Sequence, residues 1–480
     1  MNYGMIMRVL GNLVLIEAAA MSIPLGISFF YQSGDTKAFV TTIAIMLAFG
    51  FLMSKLSVKN RYLKAKDAVT IVTFGWFIIS MFGAFPFVLS GTLPSFIDAF
   101  FEAVSGLTTT GATVISNVEI IPKGIMFWRS FMHWMGGMGI LVLTLAIMPT
   151  IGVGSYQIFK AETPGPVTDK IVPKMKDTAK ILYTAYLGIT IIETFLLVLG
   201  GMSLFDALIH TFGTVGTGGF SNYNASIGHF SSNYIYFVIS IFMVASGVNF
   251  ALFYDLYKGK FKNILANTEV KIYLLIVTAS TLLVFANLNG TYTSFENALS
   301  HSFFQVSSII TTTGYSTTNF DLWPDFSKMI LFILMFVGGS AGSTAGSIKV
   351  IRLVILFKLV KREIAKILHP RAILPIQVGG KMLSSDVIAS VSGFFFLYLL
   401  MFLLGTLLVS LENVGIVSAA SAVAATLGNI GPGFDFVGPT KTYAMFNSFT
   451  KCVLSIEMLF GRLELFTLFL MLTPSFWKKV

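Results

Sequence analysis

The sequence predicts an all-α membrane protein with two leading transmembrane helices and four parallel repeats in a pseudo-fourfold arrangement. Each repeat is expected to contain a helix, a half-helix, a polar turn and a second helix. Three observations lead to this prediction. The composition is strongly apolar, a Gly-rich turn recurs four times, and Lys and Arg gather on one side of the predicted membrane.

The composition excludes an ordinary soluble protein. Of the 480 residues, 55% are hydrophobic and only 11% are charged, whereas soluble domains carry about 25% charged residues. The lipid bilayer is therefore the expected surroundings of most of the chain. The net charge of +10 comes from basic loops between apolar segments, so no nucleic-acid surface is expected. A single cysteine, Cys452, excludes an intramolecular disulfide and a cysteine-based metal site.

Ten apolar segments are long enough to cross a bilayer, which takes about 20 residues. They are Val9–Tyr31, Ala38–Leu56, Ala68–Leu89, Gly124–Met148, Ile181–Gly200, Tyr234–Leu256, Val270–Leu288, Met329–Leu359, Val387–Leu411 and Cys452–Leu472. With both termini in the cytoplasm, 25 of the 32 Lys and Arg residues fall on the cytoplasmic side and five on the outside. This asymmetry supports a multi-pass protein in that orientation.

Four shorter segments are too short to cross and predict half-helices that enter from the outside. They are Ser95–Leu107, Leu204–Phe212, Phe295–Ile310 and Ile416–Thr426. Irregular backbone at membrane depth is tolerated where it lines water or is buried in protein. The resulting units are a leading domain (1–66) and four pore-loop repeats (67–154, 155–262, 263–371 and 372–480).

The turn after each half-helix has the residue types of an ion filter. The four predicted filter segments are Thr109-Thr110-Gly111, Thr217-Gly218-Gly219, Thr312-Thr313-Gly314 and Asn429-Ile430-Gly431. Glycine permits the backbone torsions that aim successive carbonyls at an axis, and Thr adds a hydroxyl in a small side chain. Potassium channels replace the hydration shell of K⁺ with rings of backbone carbonyls. The turns therefore predict a cation filter, with K⁺ as the favoured ion.

Two features near the filter leave alternatives open. Thr and Gly could instead serve close helix packing, although four such turns at equivalent places favour the filter. Asp98 and Asp206 each lie 13 residues before the glycine of their turn. They are interpreted either as half-helix caps or as charges that attract cations to the outer mouth. No ring of four carboxylates is present, which disfavours a divalent cation.

The eighth span is too rich in glycine to be a continuous helix. Residues 338–346 read Gly338-Gly339-Ser340-Ala341-Gly342-Ser343-Thr344-Ala345-Gly346, and each glycine costs about 1 kcal/mol against Ala in a helix. The stretch predicts either a kinked, closely packed helix or a gating loop (338–347) beneath the filter.

Two arginines lie within predicted spans, where a charge is costly and is usually paired or functional. Arg462 has three interpretations: it pairs with Glu457 or Glu464, it snorkels, or it lies against the gating loop as an electrostatic barrier. Arg129 is expected to snorkel or to pair with Glu119 or Glu102.

The chain resembles the Trk/Ktr/HKT superfamily of potassium transporters, and within it the bacterial TrkH type of membrane subunit. The resemblance is carried by Ser105-Gly-Leu-Thr-Thr-Thr-Gly111, Phe127-Trp-Arg-Ser130, Trp134-Met-Gly-Gly-Met-Gly-Ile140, Gly216-Thr-Gly-Gly-Phe-Ser221, the 338–346 segment, Gly428-Asn-Ile-Gly-Pro-Gly433 and Gly461-Arg-Leu-Glu464. These motifs span nearly the whole chain. The fourth turn departs most from the pattern, because Asn429-Ile430 replaces Thr-Thr or Thr-Gly.

The resemblance implies a function and partners. Gly111, Gly219, Gly314 and Gly431 would be the filter glycines, residues 338–346 the intramembrane gate, and K⁺ the transported ion, held by backbone carbonyls. It also implies a homodimer in the bacterial inner membrane. A cytosolic TrkA-like nucleotide-binding ring would dock on the basic segments 160–180, 258–271 and 358–381.

Two other functions compete with a gated channel. A sodium- or proton-coupled potassium carrier, that is a symporter, would need the same filter. An intramembrane serine hydrolase is a remote alternative, based on Gly339-Ser340-Ala341-Gly342 with His133, His210 or His301 as the base. No nucleotide-binding motif or organic cofactor site is evident.

Overall fold

The computed structural model describes residues 1–56, 58, 63–139, 175–292, 294–372 and 374–478. Apart from one short hairpin, the regular secondary structure in these residues is helical. The first two helices are α1 (Tyr3–Tyr31) and α2 (Thr36–Ser54). They cross closely at Gly11 and Gly50: a Cβ added at Gly11 would lie 2.8 Å from Gly50 O. Small residues at such crossings let helix backbones approach each other in lipid.

Four units with the same order of elements follow. The first two contain α3 (Ala65–Leu89), α4 (Phe96–Leu107), α5 (Lys123–Gly137), α6 (Met175–Leu199), α7 (Leu204–Val215), α8 (Asn233–Ser246), α9 (Phe250–Tyr257) and α10 (Phe261–Ala266). The third contains α11 (Thr268–Asn287), α12 (Phe295–Ile310), α13 (Asp325–Leu334) and α14 (Val350–Leu368). The hairpin β1 (Gln377–Val378) and β2 (Lys381–Met382) precedes the fourth unit, which contains α15 (Ser385–Val409), α16 (Ile416–Leu427), α17 (Ser448–Arg462), α18 (Phe466–Leu472) and α19 (Pro474–Trp477).

Each unit contains the predicted half-helix. The four, α4, α7, α12 and α16, have 12, 12, 16 and 12 residues and are therefore too short to cross a bilayer. Among the described helices, six are long and apolar enough to do so, and α8 with α9 would form a seventh span bent by 99°.

The half-helices α4 and α7 are capped by serine and not by their aspartates. Ser95 and Ser203 accept hydrogen bonds from the backbone N of Asp98 and Asp206, which places each Asp inside the first turn. The interpretation of these two aspartates as N-caps is therefore wrong. Asp98 forms an ion pair with Lys451 at 2.7 Å, and Asp206 accepts a 2.7 Å hydrogen bond from Ser203 Oγ. Negative charge in the first turn also complements the helix dipole.

The second helix of every unit ends early, whereas the sequence predicts a break only in the third. Helices α5, α8, α13 and α17 have 15, 14, 10 and 15 residues. Each of the predicted spans Tyr234–Leu256 and Cys452–Leu472 therefore consists of two helices, with breaks at residues 247–249 and 463–465 that the sequence does not predict. The helix in the predicted span Gly124–Met148 ends at Gly137, and the residues beyond 139 lie outside the described part.

Close backbone contacts account for two of these early ends. A Cβ at Gly136, near the end of α5, would overlap Leu107 O at the end of α4. A Cβ at Gly461, near the end of α17, would overlap Leu427 O at the end of α16. In both units, glycine therefore lets the second helix reach the end of the half-helix, where the chain leaves helical geometry.

Arg129 forms a buried ion pair within the first unit and also links that unit to the second. Arg129 Nε lies 2.6 Å from Glu102 Oε1, and the two side chains are 2% and 0% exposed. Arg129 also donates to Ser221 O at 3.0 Å and stacks on Phe220, 3.4 Å from the ring centre. Of the alternatives for Arg129, the structure selects the pair with Glu102.

Glu102→Gln should lower the thermal unfolding midpoint strongly. The substitution keeps the shape of the side chain but leaves Arg129 buried without its counter-charge, a loss that costs about 3–5 kcal/mol. Asp325→Asn is the matched control, because Asp325 pairs with Lys328 but is 98% exposed, and such pairs contribute about 0–1 kcal/mol. Equal shifts of the two midpoints would contradict the structural role of the buried pair.

Candidate functional site

All four turns after the half-helices have the same unusual backbone. The first residue of each predicted filter segment has a positive φ: 56° at Thr109, 56° at Thr217, 57° at Thr312 and 54° at Asn429. The glycine two residues later is also left-handed, with φ of 82°, 76°, 82° and 98° at Gly111, Gly219, Gly314 and Gly431. A β-branched residue with positive φ is a genuine outlier. Three threonines held this way indicate strain that the surrounding structure maintains.

Hydrogen bonds explain how this backbone is held. The N–H of the middle turn residue bonds to the carbonyl five residues earlier in its half-helix. These bonds are Thr110 to Ser105 at 2.9 Å, Gly218 to Gly213 at 2.7 Å, Thr313 to Ser308 at 2.9 Å and Ile430 to Ala425 at 2.7 Å. A left-handed residue followed by this bond is a Schellman ending of a helix. The amide groups therefore face the half-helix.

The four turns meet in a closed ring. A Cβ at Gly111 would overlap the carbonyl oxygen of Gly218 in the next turn. The same holds for Gly219 with Thr313 O, and for Gly314 with Ile430 O. The ring closes at Gly431, where a Cβ would lie 2.6 Å from Thr110 O. The structure thus brings together all four predicted segments, and it shows why glycine is needed in each.

The side chains of the turns lie behind this ring or below it. The hydroxyls of Thr110 and Thr313 each bond at 2.8 Å to the hydroxyl of a neighbouring threonine, Thr108 or Thr311. Ile430 is fully buried in a hydrophobic cluster. Asn429 donates to Thr110 Oγ1 at 3.0 Å. The ring is therefore lined mainly by backbone oxygens.

A cavity of about 120 Å³ opens on one side of the ring and is lined by the glycines of all four turns. Tyr443 lines the same cavity and donates its hydroxyl to Gly431 O at 2.8 Å. Within the described ranges, no cluster of three or more His, Cys, Asp or Glu side chains could hold a metal ion. The cation-binding chemistry offered here is that of carbonyl oxygens.

On the other side of the ring, residues 335–349 form the non-helical segment between α13 and α14. It contains every residue from Gly338 to Gly346 that the sequence predicts in a gate. Gly346 N donates to Thr312 Oγ1 at 2.7 Å, which joins the segment to the third turn of the ring. Thr344 Oγ1 lies 3.1 Å from Val215 O and 3.2 Å from Ser246 O. The segment is a loop docked against the ring of turns, not a kinked helix.

Arg462 contacts both this loop and the first turn of the ring. Its Nη1 donates to Thr344 O at 3.2 Å and to Thr109 Oγ1 at 3.4 Å. Its Nη2 donates to the carbonyl oxygens of Gly136 and Gly137. Of the interpretations of Arg462, contact with the loop is the one these bonds support.

The acidic residue nearest to Arg462 in sequence has another partner. Glu464 forms an ion pair with Arg352 at the start of α14. Glu457 lies on α17 against Gly405 of α15.

Several residues at the site are missed by sequence reasoning. The break after Ser246 receives the loop, because Ser340 N donates to Gly247 O at 2.8 Å. Glu269 at the start of α11 accepts from Ala341 N at 2.8 Å and from Ile351 N at 3.1 Å. The local sequence signal for the break after Ser246 is Gly247-Val248-Asn249, which resembles a helix end followed by a new N-cap. Nothing in the sequence marks the contact that Glu269 makes with the loop.

The histidines do not form a catalytic pair with Ser340. Ser340 Oγ is buried and makes no hydrogen bond with any described residue. His133 Nδ1 lies 2.7 Å from Gly106 O, and His210 Nε2 lies 3.0 Å from Ser221 Oγ. His301 Nδ1 lies 2.8 Å from Thr317 Oγ1. A hydrolase needs its nucleophile and base within reach of each other.

Comparisons with known proteins agree with this arrangement. The family model described as "TrkH: Cation transport protein" matches residues 35–479. The "Trk system potassium uptake protein TrkH" of Escherichia coli strain K12 is 38% identical over 488 residues, with 100% of both chains covered. The protein of the same name from Vibrio parahaemolyticus is 39% identical over 486 residues, again with full coverage.

A solved structure has the same fold. The crystal structure of the potassium transporter TrkH from Vibrio parahaemolyticus matches with a TM-score of 0.90 at 38% identity over 100% of both chains. The relatives are transport proteins and not enzymes, as the sequence predicts. The chain is a multi-pass membrane protein that the family model and the named relatives match over nearly its whole length. It therefore belongs to the TrkH family of cation transport proteins.

Proposed function

We propose that the chain carries K⁺ into the bacterial cell across the inner membrane, through the ring formed by its four turns. The single observation that carries this proposal is the closed cycle in which the glycine of each turn meets the middle carbonyl of the next turn. The relatives named above are potassium uptake proteins, which makes K⁺ the expected ion.

The residues of the four filter segments would bind K⁺ through their backbone carbonyls. Rings of such oxygens can replace the hydration shell of a large monovalent cation. The half-helices support this electrostatically, because each ends at its turn and a helix C-terminus carries a partial negative charge. No side-chain carboxylate is needed in this mechanism.

The loop of residues 335–349 would act as the gate, with Arg462 as an electrostatic barrier. Gly346 and Thr344 dock the loop against the filter and the second unit. Arg462 places a positive charge beneath the ring, next to Thr109. A cation that leaves the ring would meet this charge while the loop is docked. Opening therefore requires that the loop and Arg462 move.

The partners would act from the cytoplasmic side. A homodimer and a nucleotide-binding ring are carried over from the family resemblance. Exposed lysines at Lys258, Lys260, Lys262 and Lys271 offer a basic surface for such a ring. Of the predicted docking segment 160–180, residues 160–174 lie outside the described part of the chain.

A proton-coupled carrier is the second candidate function, and one observation favours it. Glu17 of α1 is fully buried, and neither carboxylate oxygen has a hydrogen-bond partner. Ionisable residues inside the membrane are costly and often belong to proton relays. A proton-coupled symporter would need a buried ionisable group that can bind and release the proton, whereas a passive channel would not.

Flux through purified protein in liposomes tests the function. We expect passive K⁺ and Rb⁺ flux that exceeds Na⁺ flux and follows the potassium gradient. The assay is repeated with imposed sodium and proton gradients. Uphill potassium uptake driven by either gradient would replace the channel with the carrier, and equal K⁺ and Na⁺ flux would reject the proposed filter.

Gly219→Ala should abolish selective flux. The added Cβ would overlap Thr313 O, and Gly219 has a φ of 76°, so the ring must distort. We expect at least a tenfold loss of K⁺ flux or of the K⁺/Na⁺ ratio, since 1.4 kcal/mol corresponds to about tenfold and a strained left-handed residue costs about 1–3 kcal/mol. Gly188→Ala is the control, because its Cβ would meet no atom within 4 Å. Normal selectivity in Gly219→Ala would contradict the ring.

Undocking the loop should raise flux. Thr344→Val keeps the shape of the side chain but removes its hydroxyl contacts with Val215 and Ser246. The single hydroxyl hydrogen serves both carbonyls, and a hydrogen bond contributes about 0.5–1.5 kcal/mol, so we expect a rise of up to about tenfold, and a larger rise on deletion of Gly342–Gly346. Thr184→Val, at an exposed threonine of α6, is the control. Unchanged flux through folded deletion protein would show that the loop is not the gate.

A further inference from the structure

His133 is a fully buried histidine of α5 that contacts two neighbouring units of the ring. Its Nδ1 lies 2.7 Å from Gly106 O near the end of α4. A carbonyl oxygen can only accept, so Nδ1 carries the proton and donates. The same carbonyl also accepts from the N–H of Thr109, the first residue of the first filter segment, at 3.3 Å. The imidazole ring itself lies against Gly218 of the second segment.

The second turn lacks side chains at two positions where the first and third turns have threonine. In the first and third turns these two threonines bond to each other through their hydroxyls at 2.8 Å, Thr108 with Thr110 and Thr311 with Thr313. The corresponding residues of the second turn are Gly216 and Gly218. The hydroxyl pair that braces the other two turns is therefore missing from the second.

His133 occupies the space that the missing side chains leave. A Cβ at Gly216 would lie 2.5 Å from His133 O. A Cβ at Gly218 would overlap the imidazole ring, which supplies all three of its nearest atoms. The histidine thus meets both glycines, one with its backbone and the other with its side chain.

The backbone of Gly218 does not itself require glycine. Unlike Thr217 and Gly219, Gly218 is not left-handed. The other three turns have a side chain at the equivalent position, in Thr110, Thr313 and Ile430. The ring of His133 is therefore the reason that this position is glycine in the second turn.

The fourth turn shows the reverse arrangement. A Cβ at Gly428, which corresponds to Gly216, would lie 3.1 Å from Met335 O of the third unit. Here the turn supplies its own side chain, because Ile430 is buried together with Met335 in one hydrophobic cluster. The space behind a turn can thus be filled from the turn itself or, in the second turn, from the helix of the preceding unit.

The same face of α5 also holds the residue that follows the second filter glycine. Phe220 is buried between two side chains of this helix. Its ring centre lies 4.1 Å from that of His133 and 3.4 Å from the guanidinium carbon of Arg129. Arg129 and His133 are four residues apart and so lie on one helix face. The second turn is therefore held at Gly218 and again at Phe220.

From these contacts we propose that His133 is a positioning residue for ion selection, which braces the second turn in place of the missing threonine pair. Gly218 O is the carbonyl that meets Gly111 of the first turn. A shift of Gly218 into the space of the imidazole would open that contact and break the closed cycle. This role of His133 rests on the filter described under Proposed function.

A double-mutant cycle in liposomes tests the role, with K⁺ and Na⁺ flux measured through purified, folded protein. His133→Ala removes the brace, and Gly218→Thr forces a side chain against the imidazole. Each single change should lower the K⁺/Na⁺ flux ratio by about fivefold or more, which corresponds to about 1 kcal/mol and lies within the range of coupling between contacting residues. The double variant has room for the added threonine, so its ratio should exceed that of both single variants.

The thermal unfolding midpoints of the same four proteins separate this role from a purely structural one. A merely structural histidine would lower the midpoint and the total flux but leave the K⁺/Na⁺ ratio of the folded protein unchanged. His301→Ala is the control and should keep the wild-type ratio. The ring of His301 lies near Tyr236 and Tyr292, and its Nδ1 lies 2.8 Å from Thr317 Oγ1.

An unchanged ratio in His133→Ala, or a double variant no more selective than Gly218→Thr, would overturn the role of His133. If His133→Ala does not fold, the comparison of the double variant with Gly218→Thr still decides, because removal of the imidazole must raise the ratio. A wild type that does not select K⁺ over Na⁺ would instead reject the proposed filter. The midpoints would still show coupling in that case, since it comes from the contact alone.

Discussion

The structure depends on the contact between a carbonyl oxygen and a glycine Cα, repeated at four places. Gly111, Gly219, Gly314 and Gly431 each lie against the middle carbonyl of a neighbouring turn, and the fourth contact returns to the first. Because the cycle is closed, no turn can move without disturbing two others. The half-helix lengths, their Schellman endings and the buried pair of Glu102 with Arg129 all serve to hold the turns at one level.

Structural features that depend on residues close together in the chain can be predicted from the sequence. Apolar run length separates spans from half-helices, and the Gly-Thr turns mark where each half-helix ends. The early ends of α8 and α17 cannot be predicted in this way, because the groups that meet them come from elsewhere. Gly247 O receives Ser340 N, and Arg462 reaches Gly136, 326 positions away along the chain. Periodicity and composition carry no information about such partners.

The fourth turn shows how residue type and backbone geometry can be reconciled. Asn429-Ile430 departs from the Thr-rich pattern, yet its φ of 54° at Asn429 matches the threonines of the other turns. Asparagine tolerates the left-handed region better than most residues. The side chain of Ile430 is buried in the hydrophobic cluster behind the ring, and its carbonyl takes the same place as those of Thr110 and Thr313. Only the backbone must be equivalent.

The symmetry of the four turns does not extend to the layer beneath them, and the proposed gate depends on that difference. Every unit ends its second helix near this level, so four chain breaks surround one space. In the third unit the break extends over residues 335–349, whereas the described breaks of the second and fourth units span only residues 247–249 and 463–465. The other units supply its docking points: carbonyls from Gly136, Val215 and Ser246, and the guanidinium of Arg462. In the proposed function the four equal turns bind the ion and the unequal layer beneath them closes the path, because the long loop of the third unit crosses a space that the short described breaks of the second and fourth units leave open.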